Sequence, residues 1–181
     1  MEIHKAWAMP NSKTFKIKPI KELILKYAKS FGDKSIVVDP FANEGSIAQN
    51  LPPGTTYISN DLDTQYDTTY HLDALDFLRQ FKDGSVDMVL FDPPYSPRQT
   101  SECYKKLGRT VTTQDTSSKP FAEFKKEIAR ILCMGGICVS CMWNTNGIGK
   151  GLGMDQIEIL LVAHGGMHND TLCVVDRKNK N

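Results

Sequence analysis

The sequence predicts one α/β domain built on a mostly parallel sheet with helices on both faces. Short apolar runs ended by polar or acidic residues recur at Ser35 to Asp39, Thr55 to Asp61, Val86 to Asp92 and Gly136 to Met142. Runs of this length and composition mark strands buried on both faces. Segments with helical spacing alternate with them. The 181 residues, 40% hydrophobic and 24% charged, suffice for one real core but leave no room for a second domain of normal size.

Taken in order, Ile20, Leu23, Ile24, Tyr27 and Ala28 repeat at helical intervals, and Pro19 stands where a first helical turn tolerates proline. Ala74, Phe77, Leu78 and Phe81 predict a shorter helix, and Phe121 to Leu132 a longer one closed by Gly135 and Gly136. Ile157 to Ala163 and Thr171 to Asp176 are strand-like runs joined by a turn-rich connection, His164 to Asp170. They read as an antiparallel hairpin at the end of the sheet. His164 and His168, within that connection, are expected at the surface. Residues 96–120 carry no regular pattern, and a loop of that length in a compact domain is a candidate substrate-binding element.

Composition narrows the class further. Twenty-two basic against 21 acidic residues give a net charge of +1, which by itself does not announce a polyanionic partner. The distribution is uneven. Residues 1–30 hold a net +5 and residues 96–120 a net +3, whereas residues 55–92 hold a net −6. No apolar run approaches the 18 or so residues needed to span a bilayer, and residues 1–13 lack the apolar core of a signal peptide. A cytoplasmic protein without membrane contact is expected. Five cysteines, an odd number set mostly in apolar runs, suit that compartment. Cys138 and Cys141 form a C-x-x-C without a second pair or suitably spaced histidines, so buried packing is expected there and no metal.

In an open α/β sheet, ligands bind beyond the carboxyl ends of the strands. Those ends are acidic here: Asp39, Asp61 and Asp92, with Asp73 ahead of a helix. After the first strand, Asp39-Pro40-Phe41-Ala42-Asn43-Glu44-Gly45 forms a tight turn in which Asn43 and Gly45 can take positive φ. It lacks the patterns of a phosphate loop, and its charge suits a cation. Asp61 is placed to accept hydrogen bonds from ribose hydroxyls. After the next predicted strand but one, Asp92-Pro93-Pro94-Tyr95 presents a carboxylate and carbonyls as acceptors, fixed by two prolines that donate nothing, beside an aromatic ring. Such a turn would hold an exocyclic amino group through two accepted hydrogen bonds and stack a planar base on Tyr95.

Together these segments resemble the amino-methyltransferases that act on adenine N6 or cytosine N4 in DNA. Asp39 to Gly45 looks like the family's S-adenosylmethionine motif and Asp92 to Tyr95 like its catalytic motif. Thr14-Phe15-Lys16-Ile17-Lys18-Pro19-Ile20 resembles its N-terminal motif, and the order is that of the gamma arrangement. The resemblance covers nearly all of the chain and implies a Rossmann-like class I methyltransferase fold, a seven-stranded sheet with one antiparallel strand. It implies that Asp92, Pro93, Pro94 and Tyr95 are catalytic. Phe15, Lys18, Asp39, Pro40, Phe41, Asn43 and Gly45 would form the cofactor site, with Asp61 on the ribose and Asp73 on the adenine amino group. The turn departs from the family's usual G-S-G or G-G-G by reading Asn43-Glu44-Gly45. No segment of normal target-recognition length follows the catalytic motif.

The expected partner is therefore DNA, contacted at phosphates by Arg98, Lys105, Lys106 and Arg109. Specificity would come from residues 96–120, from a second copy or separate specificity subunit, or not at all. Small ribosomal RNA methyltransferases also carry D-P-P-[FY], so RNA is an alternative substrate, and a catalytically silent cofactor-binding partner subunit is an alternative role for the chain. D-P-P-Y leans to adenine over cytosine.

Overall fold

The computed structural model describes residues 1–94, 96–108, 119–166 and 168–179. The chain begins with β1 (Glu2–Trp7), followed by a 3-10 turn at Thr14–Lys16 and by α1 (Lys18–Ala28). Next come β2 (Ile36–Asp39), β3 (Thr56–Ser59), α2 (Ala74–Leu78), β4 (Val86–Phe91), α3 (Pro97–Lys106) and α4 (Lys119–Ile131). It closes with β5 (Leu132–Met142), β6 (Met154–Ala163) and β7 (Thr171–Lys178). Seven strands form one sheet in the order β1-β6-β7-β5-β4-β2-β3, in which only β7 runs antiparallel to its neighbours.

Alternation along the strands builds two cores. Met88 and Leu90 of β4 face α1, whose Ile20, Leu23, Ile24, Tyr27 and Ala28 are all buried as their spacing requires. Val89 and Phe91 face the other way, toward Phe77 and Leu78 of α2 and Ile128 and Ile131 of α4. Cys138 and Cys141, three residues apart on β5, fall into different cores and are fully buried, which removes any C-x-x-C site.

Three expectations need correction. The antiparallel hairpin of β6 and β7 forms as expected, but not at the sheet's edge: β7 lies between β5 and β6, and β1 takes the outer edge. β1 itself is absent from the sequence reading because Glu2 to Trp7 is mostly exposed and half polar, without the apolar run of a buried strand. Within residues 96–120, patternless in sequence, α3 spans Pro97–Lys106, while residues 109–118 lie outside the described residues. Ser96 accepts a hydrogen bond from the Gln99 N–H at 3.2 Å, and proline stands in the first turn, a standard helix start. Its sparse apolar residues hid it from hydrophobic periodicity.

His164 is also not a surface residue. It is 6% exposed, and its ring bridges the Ala8 carbonyl and the Thr171 hydroxyl, each at 2.9 Å. The ring thereby ties the exit of β1 to the start of β7. His168 is exposed, as expected.

Candidate active site

Segments distant in sequence meet at the carboxyl ends of β2 and β4. One pocket is lined by Phe15 from the 3-10 turn, by Phe41, Asn43 and Glu44 from the turn after β2, and by Asp92 after β4. The first and second walls are clamped together electrostatically. Glu44 pairs with Lys13 and, at 2.6 Å, with Lys16, and both cations hold its carboxyl below the ordinary range.

The turn after β2 is built as its sequence demands. Asn43 and Gly45 take φ of 48° and 60°. Asparagine tolerates this left-handed region better than most residues, and glycine does so without strain. Asp39 lies beneath the turn, fully buried, accepting from the Tyr57 hydroxyl at 2.8 Å and from the Phe41 N–H at 3.2 Å. Burial pushes its carboxyl up to about 7, against the lowering effect of those two donors, and the charges of Asp92 and Asp61 push the same way. These acidic strand ends thus sense one another.

Asp61 accepts from the Asn43 N–H at 2.8 Å and from the Asp63 N–H at 2.9 Å, so it sits directly behind the pocket wall. Its carboxyl is raised by burial, opposed by these two donors. Asp73 caps α2, accepting from the Leu75 N–H at 3.0 Å, while its other oxygen accepts from Tyr104 of α3 at 3.3 Å. α3 is thereby tied to the start of α2.

Of the residues singled out from sequence, Phe15, Phe41, Asn43 and Asp92 line the pocket. Asp39, Pro40, Gly45 and Asp61 support it from below or behind. Lys18 stands apart: its side chain is 82% exposed and faces Glu22 at 4.0 Å, a turn further along α1. Pro93 is buried and Pro94 half-buried, whereas Tyr95 lies outside the described residues. Arg98 pairs with Glu102 at 2.8 Å on α3, Lys105 and Lys106 are exposed in its last turn, and Arg109 lies outside the described residues.

Sequence reasoning overlooked Asn60. Buried to 1% exposure, its amide donates to the carbonyls of Pro40 and Leu72 at 3.2 and 3.1 Å, and its carbonyl accepts from the Leu72 N–H at 2.9 Å. It locks the turn after β2 to the segment leading into α2. Its position next to Asp61, just past β3, was the available signal.

The donor set fits a nucleoside carrying positive charge. Two aromatic rings offer apolar walls, and several carboxylates gather around the cleft. Among the described residues the cations beside it, Lys13 and Lys16, are already paired with Glu44, which disfavours a phosphate.

By sequence the chain matches no protein family and no curated protein. Its likenesses are to solved structures. TrmN from Thermus thermophilus superposes with a TM-score of 0.58 at 18% identity, over 90% of this chain and 49% of that one. The chain thus spans about half the length of that structure. The N-methyltransferase NodS from Bradyrhizobium japonicum gives 0.61 at 11% identity, over 94% and 100% of the two chains. A didemethyltoxoflavin N1-methyltransferase from Burkholderia thailandensis, crystallised with S-adenosylhomocysteine, gives 0.59 at 10% identity, over 86% and 76%. The fold is the Rossmann-like fold of class I methyltransferases. Among the described residues no helix is long and apolar enough to cross a membrane.

Proposed function

We propose that the chain is an S-adenosylmethionine-dependent methyltransferase acting on the exocyclic amino group of a nucleobase, with adenine N6 in DNA preferred. The observation that carries this reading is the convergence of the N-terminal, turn and catalytic segments on one pocket, through Phe15, Phe41 and Asp92. The adjacency of β2 and β4 brings Phe41 and Asp92 together, and Phe15 joins them from a separate segment ahead of α1.

When bound, S-adenosylmethionine supplies an electrophilic methyl group on a sulfonium centre. Phe15, Phe41, Asn43 and Asp61 would hold it. Asp92 and the Pro93 carbonyl accept the N–H bonds of the incoming amino group, turning its lone pair out of conjugation with the ring and stabilising the positive charge that grows there. Orientation and fixed acceptors thus carry the step. The methyl–sulfur bond would break as the N–C bond forms, releasing a neutral thioether, and the nitrogen would then lose one proton, for which the Asp92 carboxylate is the adjacent acceptor. A paired base must first be flipped out, at a cost of a few kcal/mol. The exposed lysines of α3 and those of residues 1–30 would attract the phosphate backbone.

Incubation with S-adenosylmethionine and unmodified DNA or RNA, followed by nucleoside mass spectrometry, tests the reading. N6-methyladenine in DNA is the expected product. N4-methylcytosine or a methylated RNA base would correct the substrate, and cofactor binding without any methylated base would contradict the reading.

A further inference from the structure

Sheet order places β4 between β2 and β5, so Asp92 has the cofactor-side turn on one flank and the end of β5 on the other. Phe91 pairs in parallel register with Ser140, and Pro94 and Trp143 each follow three residues later. The two chains therefore leave the sheet side by side. Trp143 is 46% exposed there, although large aromatics are usually well covered. The chain beyond it is held: the Asn146 N–H donates to Asn144 Oδ1 at 3.0 Å, and Gln156 Nε2 donates to the Thr145 carbonyl at 2.6 Å. Behind it, Met142 is buried and paired with Leu172 of β7. Trp143 thus leaves β5 on the side of Asp92 opposite the turn after β2.

We infer that Trp143 is a stacking surface for the base whose amino group Asp92 orients. This rests on the proposed methyltransferase reading and extends it to the shape of the substrate, a planar heteroaromatic ring. A base that approaches Asp92 away from the turn after β2 meets the end of β5, where Trp143 presents its ring. Aromatic stacking accepts any base, so this contact supplies affinity and orientation without sequence preference.

The chain has two tryptophans, Trp7 and Trp143. Trp7, on the outer edge strand, can be replaced by phenylalanine to leave Trp143 as the sole indole. Titration of Trp7→Phe with a single-stranded oligodeoxynucleotide should quench its fluorescence. Trp143→Ala should lower kcat/KM for methylation by about tenfold or more, mainly through KM, while Trp143→Phe restores most of it. S-adenosylhomocysteine affinity, measured by calorimetry, and the thermal midpoint serve as controls and should stay close to wild type. Methylation by wild type with Trp143→Ala within twofold of it would overturn the stacking role alone. Quenching without methylation would keep the stacking contact and overturn the transfer reaction. Absence of both would overturn both.

Discussion

Asp176 is fully buried on β7, with one carboxylate oxygen accepting from the Ile148 N–H at 2.9 Å and the other without a partner among the described residues. Gly147 presses on it closely enough that a Cβ there would lie 2.3 Å from Oδ2. Burial pushes this carboxyl up to about 6, and that of Asp39 to about 7, from ordinary values of 3.8. For an acid whose folded pKa is raised, the native state holds its proton longer than the unfolded chain does. Stability contributed by these groups is therefore greatest below about pH 4 and falls as pH rises through about 6 for Asp176 and about 7 for Asp39. Asp176→Asn should raise the midpoint of thermal unfolding at pH 8 and leave it nearly unchanged at pH 4. A mutant whose pH profile runs parallel to that of wild type would refute the assignment.

Among the elements, α3 separates what pattern could and could not reveal. The helices legible in the sequence, α1, α2 and α4, bury apolar stripes against the sheet, and burial imprints a 3.6-residue period on sequence. α3 is amphipathic but sparsely apolar, and only its cap and proline betray it. Cap removal by Ser96→Ala should cost about 1 kcal/mol locally, seen as faster amide exchange across α3. Its last turn carries Lys105 and Lys106, both exposed. Replacing both by glutamate should weaken DNA binding across all sequences and flatten its salt dependence by about one counterion for each phosphate no longer neutralised. An unchanged salt slope would remove α3 from the nucleic-acid surface.

At the scale of the whole molecule, strand ends were easier to read than strand order. Acidic residues closing apolar runs marked Asp39, Asp61 and Asp92 because the chemistry of a site is written in residue types. The insertion of β7 between β5 and β6 is a long-range pairing that leaves no local trace, and the same holds for β1. Asn60 and Tyr57 escaped notice for a related reason: their partners, Pro40 and Leu72 for the one and Asp39 for the other, lie twelve or more residues away in sequence. The near-neutral net charge likewise conceals a geometric fact. The acidic strand ends converge at the cleft, whereas the lysines of α3 lie outside the pocket lining. The claim that unites these levels is that Asp92 orients an amino nitrogen at this pocket. Its most direct test compares wild type with Asp92→Ala in methylation of the same DNA, alongside S-adenosylhomocysteine affinity. A fall of at least about a hundredfold in kcat with affinity for S-adenosylhomocysteine retained is predicted; near wild-type methylation by Asp92→Ala would contradict the account.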